Sequence, residues 1–113
     1  MNIQIFGNKK CADTRKAERW FSERRIKYQL IDIKTKGPSR GELNAIVRSA
    51  GGLDEVIDWD GKDQDLLALM KYLSEEDRFE KVLENPQTLR TPIVRNGKQS
   101  AIGYQPELWK TWE

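Results

Sequence analysis

Residues 3–33, IQIFGNKKCADTRKAERWFSERRIKYQLIDI, decide the fold of this 113-residue chain. The stretch opens with alternating polar and apolar residues, which predicts a short strand over Asn2 to Phe6. After Gly7, a helix is predicted to begin near Cys11 or Ala12, because apolar residues further along recur at i, i+3 and i+4. The residues of this apolar stripe are Ala17, Trp20 and Phe21.

The second half of the stretch predicts another strand. It carries an apolar run dense enough to be buried on both faces, formed by Tyr28, Leu30, Ile31 and Ile33. A strand, a helix and a second strand are connected with a right-handed crossover, which makes the two strands a parallel pair. The first third of the chain therefore predicts a βαβ unit.

The middle of the chain is helical by pattern. Ser39 lies three residues before Glu42, a spacing typical of a capping box, and Gly51-Gly52 is expected to end the helix that follows. A second apolar stripe predicts another helix and consists of Leu66, Leu67, Leu69, Met70 and Leu73. Ser74 is then the predicted N-cap of a further helix, which ends before Asn85-Pro86.

The C-terminal part predicts a β-hairpin and a helix. A strand begins at Pro92, Asn96-Gly97 is a strong two-residue turn signal, and a strand over Lys98 to Ile102 pairs back as an antiparallel edge. Pro106 occupies a typical first helical position. The apolar residues of this last helix are Leu108, Trp109 and Trp112, and both tryptophans, with Trp20, are expected in the core.

The order of elements predicts an α/β fold of the thioredoxin-like class. It consists of a βαβ unit, a β-hairpin and a C-terminal helix, with a helical insertion between the two halves. Residues 1–113 are long enough for one core and too short for two, so a single domain is expected.

Composition excludes several classes of function. The net charge of +2, from 20 basic and 18 acidic residues, gives no argument for direct nucleic-acid binding. No run of about 18 apolar residues is present, and the first residues lack the apolar core of a signal peptide, so a protein of the cytoplasm is expected. The chain has no histidine, which excludes Ser-His and Cys-His catalysis and histidine metal sites. Its single cysteine cannot form an internal disulfide, so any redox partner sulfur must come from another molecule.

Cys11 is the candidate reactive group. A thiol at a helix N-terminus faces unpaired N–H groups and a positive dipole end, and Lys9, Lys10 and Arg15 add positive charge nearby, so the thiolate is favoured. Thr14 is expected over the same helix end, where its hydroxyl would donate a hydrogen bond to the sulfur. The alternative is an inert cysteine that fills the core. The polar residues next to Cys11 in the sequence argue against deep burial and therefore against this alternative.

The whole chain resembles the arsenate reductase and Spx family of glutaredoxin-like proteins. The matching segments are IQIFGNKKCADTRKAERWF, IKYQLIDIKTKGPSRGEL, TPIVRNGKQSAIGY and PELWKTW, with the spacing C-x-x-x-R-K-A as the sharpest element. The resemblance implies that Cys11 is the nucleophile and Arg15 its cationic partner. It also implies a cis proline at Pro92, preceded by Thr91, whose backbone docks an incoming thiol peptide. Lys10, Thr14 and Arg90 are further candidates for substrate or thiol binding.

Departures from the family pattern bear on activity. The resemblance implies three arginines that hold arsenate, but Thr91, Asp58 with Asp60, and Gln105 stand near the corresponding places, so efficient arsenate reduction is not expected. Spx-type regulators commonly carry a C-x-x-C redox switch, and here Thr14 takes the place of its second cysteine.

Two functions follow from the resemblance. One is a thiol oxidoreductase that is a monomer, binds no cofactor or metal, and relies on glutathione or a glutaredoxin- or thioredoxin-type protein as the external resolving thiol. The alternative is a non-enzymatic, Spx-like regulator that binds the RNA polymerase alpha subunit.

Overall fold

The computed structural model describes residues 1–112 and places a four-stranded sheet among five α-helices. The strands are β1 (Ile3–Gly7), β2 (Tyr28–Asp32), β3 (Ile93–Asn96) and β4 (Gln99–Ile102). The helices are α1 (Ala12–Glu23), α2 (Arg40–Ala50), α3 (Gln64–Lys71), α4 (Glu75–Glu84) and α5 (Pro106–Trp109), with 3-10 turns at Leu53–Val56 and Pro86–Thr88. This order confirms the predicted thioredoxin-like α/β fold with a helical insertion between β2 and β3.

The sheet has the strand order β2-β1-β3-β4. β1 and β2 run parallel, in a register that pairs Ile3 with Tyr28, which confirms the predicted βαβ unit. β3 lies antiparallel to β1 and pairs Ile93 with Phe6, while β4 forms the antiparallel edge beside β3. The start of β3 is therefore held next to the end of β1, although the two are far apart in sequence.

Each face of the sheet covers its own apolar core, because successive side chains of a strand point to opposite faces. Ile5 and Val94 belong to the core under α1 and α5, whereas Phe6 and Ile93 belong to the core under the helical insertion. The first core contains the predicted buried tryptophans, Trp20, Trp109 and Trp112.

The helix ends confirm most of the local predictions. Ser39 and Glu42 form a complete capping box at α2, and Gly51 ends that helix in the left-handed conformation with φ 92°. The Ser74 side chain accepts from the Asp77 N–H at the start of α4, and Pro106 is the first residue of α5.

Four sequence predictions need correction. The last helix was expected to carry Leu108, Trp109 and Trp112 as its apolar residues, but α5 ends at Trp109 and Leu108 is 40% exposed, because only Trp109 and Trp112 pack into the core under α1. β2 was expected to be buried on both faces, but it is an edge strand whose residues are mostly half-buried, because β1 and not β2 occupies the middle of the sheet. Leu69 was assigned to the apolar face of α3 and is 49% exposed, whereas its neighbour Met70 is buried. The hairpin turn is shifted by one residue: Asn96 pairs with Gln99, so the loop consists of residues 97 and 98.

Among residues 1–112, none of the helices combines the length and the apolar character that a membrane crossing requires.

Candidate functional site

Cys11 lies where β1 ends and α1 begins. It is the N-cap residue of α1, with φ −81° and ψ 121°, and it is partly exposed. Its N–H donates to the Asn8 carbonyl at 2.8 Å, and its carbonyl accepts from the Arg15 N–H at 3.2 Å. These two bonds fix the backbone on both sides of the thiol, so the side chain is held at the open first turn of the helix.

The loop before β3 forms the opposite side of the site. The Cys11 thiol donates to the Thr91 carbonyl, with an S···O distance of 3.7 Å, and the Thr91-Pro92 peptide bond is cis. Because β3 pairs with β1, this loop lies over the end of β1 and therefore over the start of α1. The structure thus brings Cys11, Thr91 and Pro92 together.

Burial and hydrogen bonding shift the pKa of the Cys11 thiol in opposite directions. Partial burial raises the pKa of Cys11, but the hydroxyls of Thr91 and Thr14 donate to the sulfur and lower it. The backbone N–H groups of Thr14 and Asp13, in the first turn of α1, lower it further. The resulting pKa lies below that of an ordinary cysteine, since each of these donors stabilises the thiolate.

Thr14 is the buried member of this group of donors. Its side chain is fully buried, and its Oγ1 accepts from the Asn8 N–H at 3.4 Å. Because that bond occupies the hydroxyl as an acceptor, its own proton remains available for the Cys11 sulfur.

The charged side chains that the sequence placed near the sulfur do not hydrogen-bond to it in the structure. Arg15 is exposed, and its guanidinium donates to the Lys9 carbonyl at 2.6 Å, not to the sulfur. The Lys10 side chain is exposed, while Asp13 pairs loosely with Lys16 at 3.9 Å. The groups that lower the pKa of Cys11 are therefore hydroxyl and backbone groups, and none is a cationic side chain.

Arg90 does not join the group around Cys11. Its guanidinium donates to the Glu55 carbonyl at 3.2 Å, and its N–H donates to the Val56 carbonyl at 2.9 Å. It lines a groove of about 580 Å³ that contains four carboxylates and the half-buried Trp59 ring. The acidic residues of this groove are Asp54, Glu55, Asp58 and Asp60.

The residue near the third expected arginine is also engaged elsewhere. The Gln105 amide donates to the Ile102 carbonyl at 2.6 Å. Within residues 1–112, no three side chains of the histidine, cysteine, aspartate and glutamate types lie close enough to hold a metal ion. Neither Arg90 nor Gln105 therefore brings a side-chain donor to the Cys11 sulfur in the described residues.

Asn8 is the residue that sequence reasoning missed. Its carbonyl accepts from Cys11, its N–H donates to Thr14, and its side-chain oxygen accepts from the Lys10 N–H at 3.0 Å. An asparagine between a strand and a helix is a recognised signal for such a side-chain-to-backbone turn, so the pattern was available in the sequence.

Comparison with known proteins gives a consistent set of relatives. Residues 6–112 match the sequence model of the ArsC family. The chain is 31% identical over 107 residues to the global transcriptional regulator Spx 2 of Bacillus anthracis, covering 93% of this chain and 82% of that protein. It is 30% identical over 128 residues to the Spx 2 regulator of Oceanobacillus iheyensis, covering 100% of this chain and 94% of that protein.

A solved structure with similar architecture is the arsenate reductase from Vibrio cholerae. It is 26% identical, with a TM-score of 0.80, and the match covers 96% of this chain and 94% of that one. The helical insertion and the sheet are therefore shared over almost the full length of both chains.

Proposed function

Because this chain belongs to the ArsC family, we propose that it is a thiol oxidoreductase that uses Cys11 as its only protein nucleophile. The observation that carries the proposal is the set of hydroxyl and backbone donors that surrounds the partly exposed sulfur and lowers its pKa. A thiolate is the reactive form in thiol–disulfide exchange, and access to it is needed for attack.

The reaction that fits a single cysteine has two exchange steps. The Cys11 thiolate attacks the glutathione sulfur of a mixed disulfide, the disulfide bond breaks, and the substrate thiolate leaves with the electron pair and takes a proton from water. A second glutathione thiolate, or the thiolate of a glutaredoxin, then attacks the Cys11 adduct and releases Cys11 as a thiolate. In total, the mixed disulfide of the substrate becomes a free thiol, and its glutathione leaves in a new disulfide with the one resolving thiol, which is the group that is oxidised.

The residues around Cys11 have distinct parts in this scheme. Thr14 and the first-turn N–H groups stabilise the thiolate both before attack and when it leaves the adduct. Thr91 is the proposed docking point, since its carbonyl already lies against the sulfur and a thiol peptide would approach the same backbone.

Incubation with glutathione disulfide at neutral pH, followed by intact mass measurement, tests the proposal. Wild-type protein is expected to gain one glutathione rapidly, and glutathione with glutaredoxin should remove it. Cys11→Ser is the matched control and should gain none, since the chain has no other cysteine. Wild-type protein that reacts no faster than free cysteine would contradict the proposal.

A regulatory role is the second candidate, and it is favoured by the 31% identity to the Spx 2 regulator of Bacillus anthracis. Such a role would use a docking surface and not the thiol, because Thr14 leaves no second cysteine for an internal switch. The proposed partner is the RNA polymerase alpha subunit. Stable binding to purified alpha subunit that Cys11→Ser retains would support this function, and absence of binding would exclude it.

A further inference from the structure

Gly7 occupies a position where the backbone does not require glycine. It is the last residue of β1, pairs with Asp32 of β2, and accepts from the Ile33 N–H at 3.0 Å. The glycines with positive φ lie elsewhere, at residues 51, 52, 97 and 103. Because a glycine in a strand loses more conformational entropy than other residues and packs no side chain, its presence here needs another cause.

That cause is the position of Thr14. A Cβ added at Gly7 would lie 2.5 Å from Thr14 Cγ2 and 2.7 Å from Thr14 Oγ1, closer than real contacts allow. The Thr14 side chain is fully buried, so it occupies the space that a side chain at residue 7 would need. If residue 7 carried a side chain, Thr14 would have to rotate or move away from the end of β1.

The contact matters because the Thr14 orientation is set by neighbours on two sides. The N–H of Asn8, directly after Gly7, donates to Thr14 Oγ1 at 3.4 Å. Thr14 also lies in the first turn of α1, which directly follows the N-cap Cys11, and its hydroxyl is one of the groups that lower the pKa of that thiol. A threonine has few χ1 rotamers, so displacement from this one would break the bond from Asn8 and at the same time move the hydroxyl away from its place beside Cys11.

We propose that Gly7 is a positioning residue for Cys11: the absence of a side chain at the end of β1 holds the Thr14 hydroxyl against the sulfur and thereby sets the reactivity of the thiol. The inference deepens the proposed function and rests on it for the biological meaning of that reactivity. The charged groups nearest in sequence, Lys10, Asp13 and Arg15, are exposed and are not part of this contact.

A double-mutant cycle in the full chain tests the inference. Gly7→Ala is expected to raise the thiol pKa, which is measured from the ultraviolet absorbance of the thiolate. It is also expected to slow the reaction with glutathione disulfide at neutral pH about threefold. The factor combines the loss of one charge-assisted hydrogen bond with the higher intrinsic nucleophilicity of a more basic thiol. Thr14→Ala should have the same effect, and Gly7→Ala should have none in the Thr14→Ala background, because the two changes remove one hydrogen bond.

Gly41→Ala is the matched control, since a Cβ at that helical position meets nothing within 4 Å, and it should leave the thiol unchanged. If Gly7→Ala alone does not fold, Gly7→Ala/Thr14→Ala should still fold, because the two contacts below 3 Å are removed and only the Cβ of residue 14 remains, at 3.2 Å. It should show the pKa of Thr14→Ala. A Gly7→Ala effect that persists without Thr14, or a folded Gly7→Ala with wild-type pKa, would overturn the inference. Neither result affects adduct formation by wild-type protein, which tests the proposed function separately.

Discussion

At the scale of the residue, the proposed thiol chemistry depends on the groups that surround the Cys11 sulfur. The donors to Cys11 are the Thr14 and Thr91 hydroxyls and two backbone N–H groups. These groups stabilise a thiolate without presenting a fixed cation, which suits attack on a sulfur centre. An oxyanion substrate needs more, because its own negative charge has to be neutralised.

The residues in place of the expected arginines predict that arsenate is not turned over. Thr91 is uncharged, Gln105 bonds to the Ile102 carbonyl, and the nearby segment carries Asp58 and Asp60, which repel an anion. A coupled assay that follows NADPH oxidation with glutathione, glutathione reductase and glutaredoxin should show no arsenate-dependent rate.

Glutathionylation of the same protein preparation is the control, because it shows that the thiol is active. Sustained arsenate-dependent turnover that is lost in Cys11→Ser would show that the site neutralises the anion by other means, and the interpretation of these three positions would be wrong.

At the scale of the element, the capping box at the start of α2 stabilises that helix. Ser39 Oγ accepts from the Glu42 N–H at 3.2 Å, and Glu42 Oε1 accepts from the Ser39 N–H at 2.8 Å. Ser39→Ala removes half of this capping box and is expected to lower the free energy of unfolding by about 1 kcal/mol, or the Tm by about 4 °C. Thermal unfolding followed by circular dichroism measures the loss.

The pH dependence of this effect follows from Glu42. Partial burial raises its pKa, but hydrogen bonds from Ser39 and the charge of Arg95 lower it below the usual value. A depressed folded-state pKa stabilises the protein above the unfolded-state pKa, and that part is lost as the pH falls through the folded-state value. The Ser39→Ala loss should therefore be largest near neutral pH and smaller in acid. Ser49→Ala, at an exposed site, should cost little, and an equal loss in both variants would contradict the capping account.

The helix ends were predictable from local sequence patterns, but the position of β2 in the sheet was not. The caps at Ser39 and Ser74 and the turn at Gly51 act within a few residues, so their sequence patterns are complete in themselves. Burial of β2 depends on which strand lies in the middle of the sheet. Its apolar residues are needed even at an edge, because both faces of β2 border a core, through Leu30 on one side and Ile31 on the other.

At the scale of the whole molecule, the site joins residues that are 80 positions apart, Cys11 and Thr91. The position of Thr14 near Cys11 was predictable from the sequence, because Cys11 is the N-cap of α1 and Thr14 lies in the first turn that follows. Directions of long side chains were not predictable in the same way. Arg15 and Arg90 donate to the backbone carbonyls of Lys9 and Glu55, and a long side chain can reach such acceptors in several directions.

The proposed function requires that Cys11 is a partly exposed thiol of lowered pKa. The pH dependence of its rate of reaction with glutathione disulfide tests this claim most directly, with the same chain unfolded in denaturant as the reference. We expect the rate of the folded protein to level off at a lower pH than that of the unfolded chain, because Thr14, Thr91 and the first turn of α1 lie beside the sulfur only in the fold. A folded protein whose rate levels off at the same pH as the unfolded chain, or at a higher one, would contradict it.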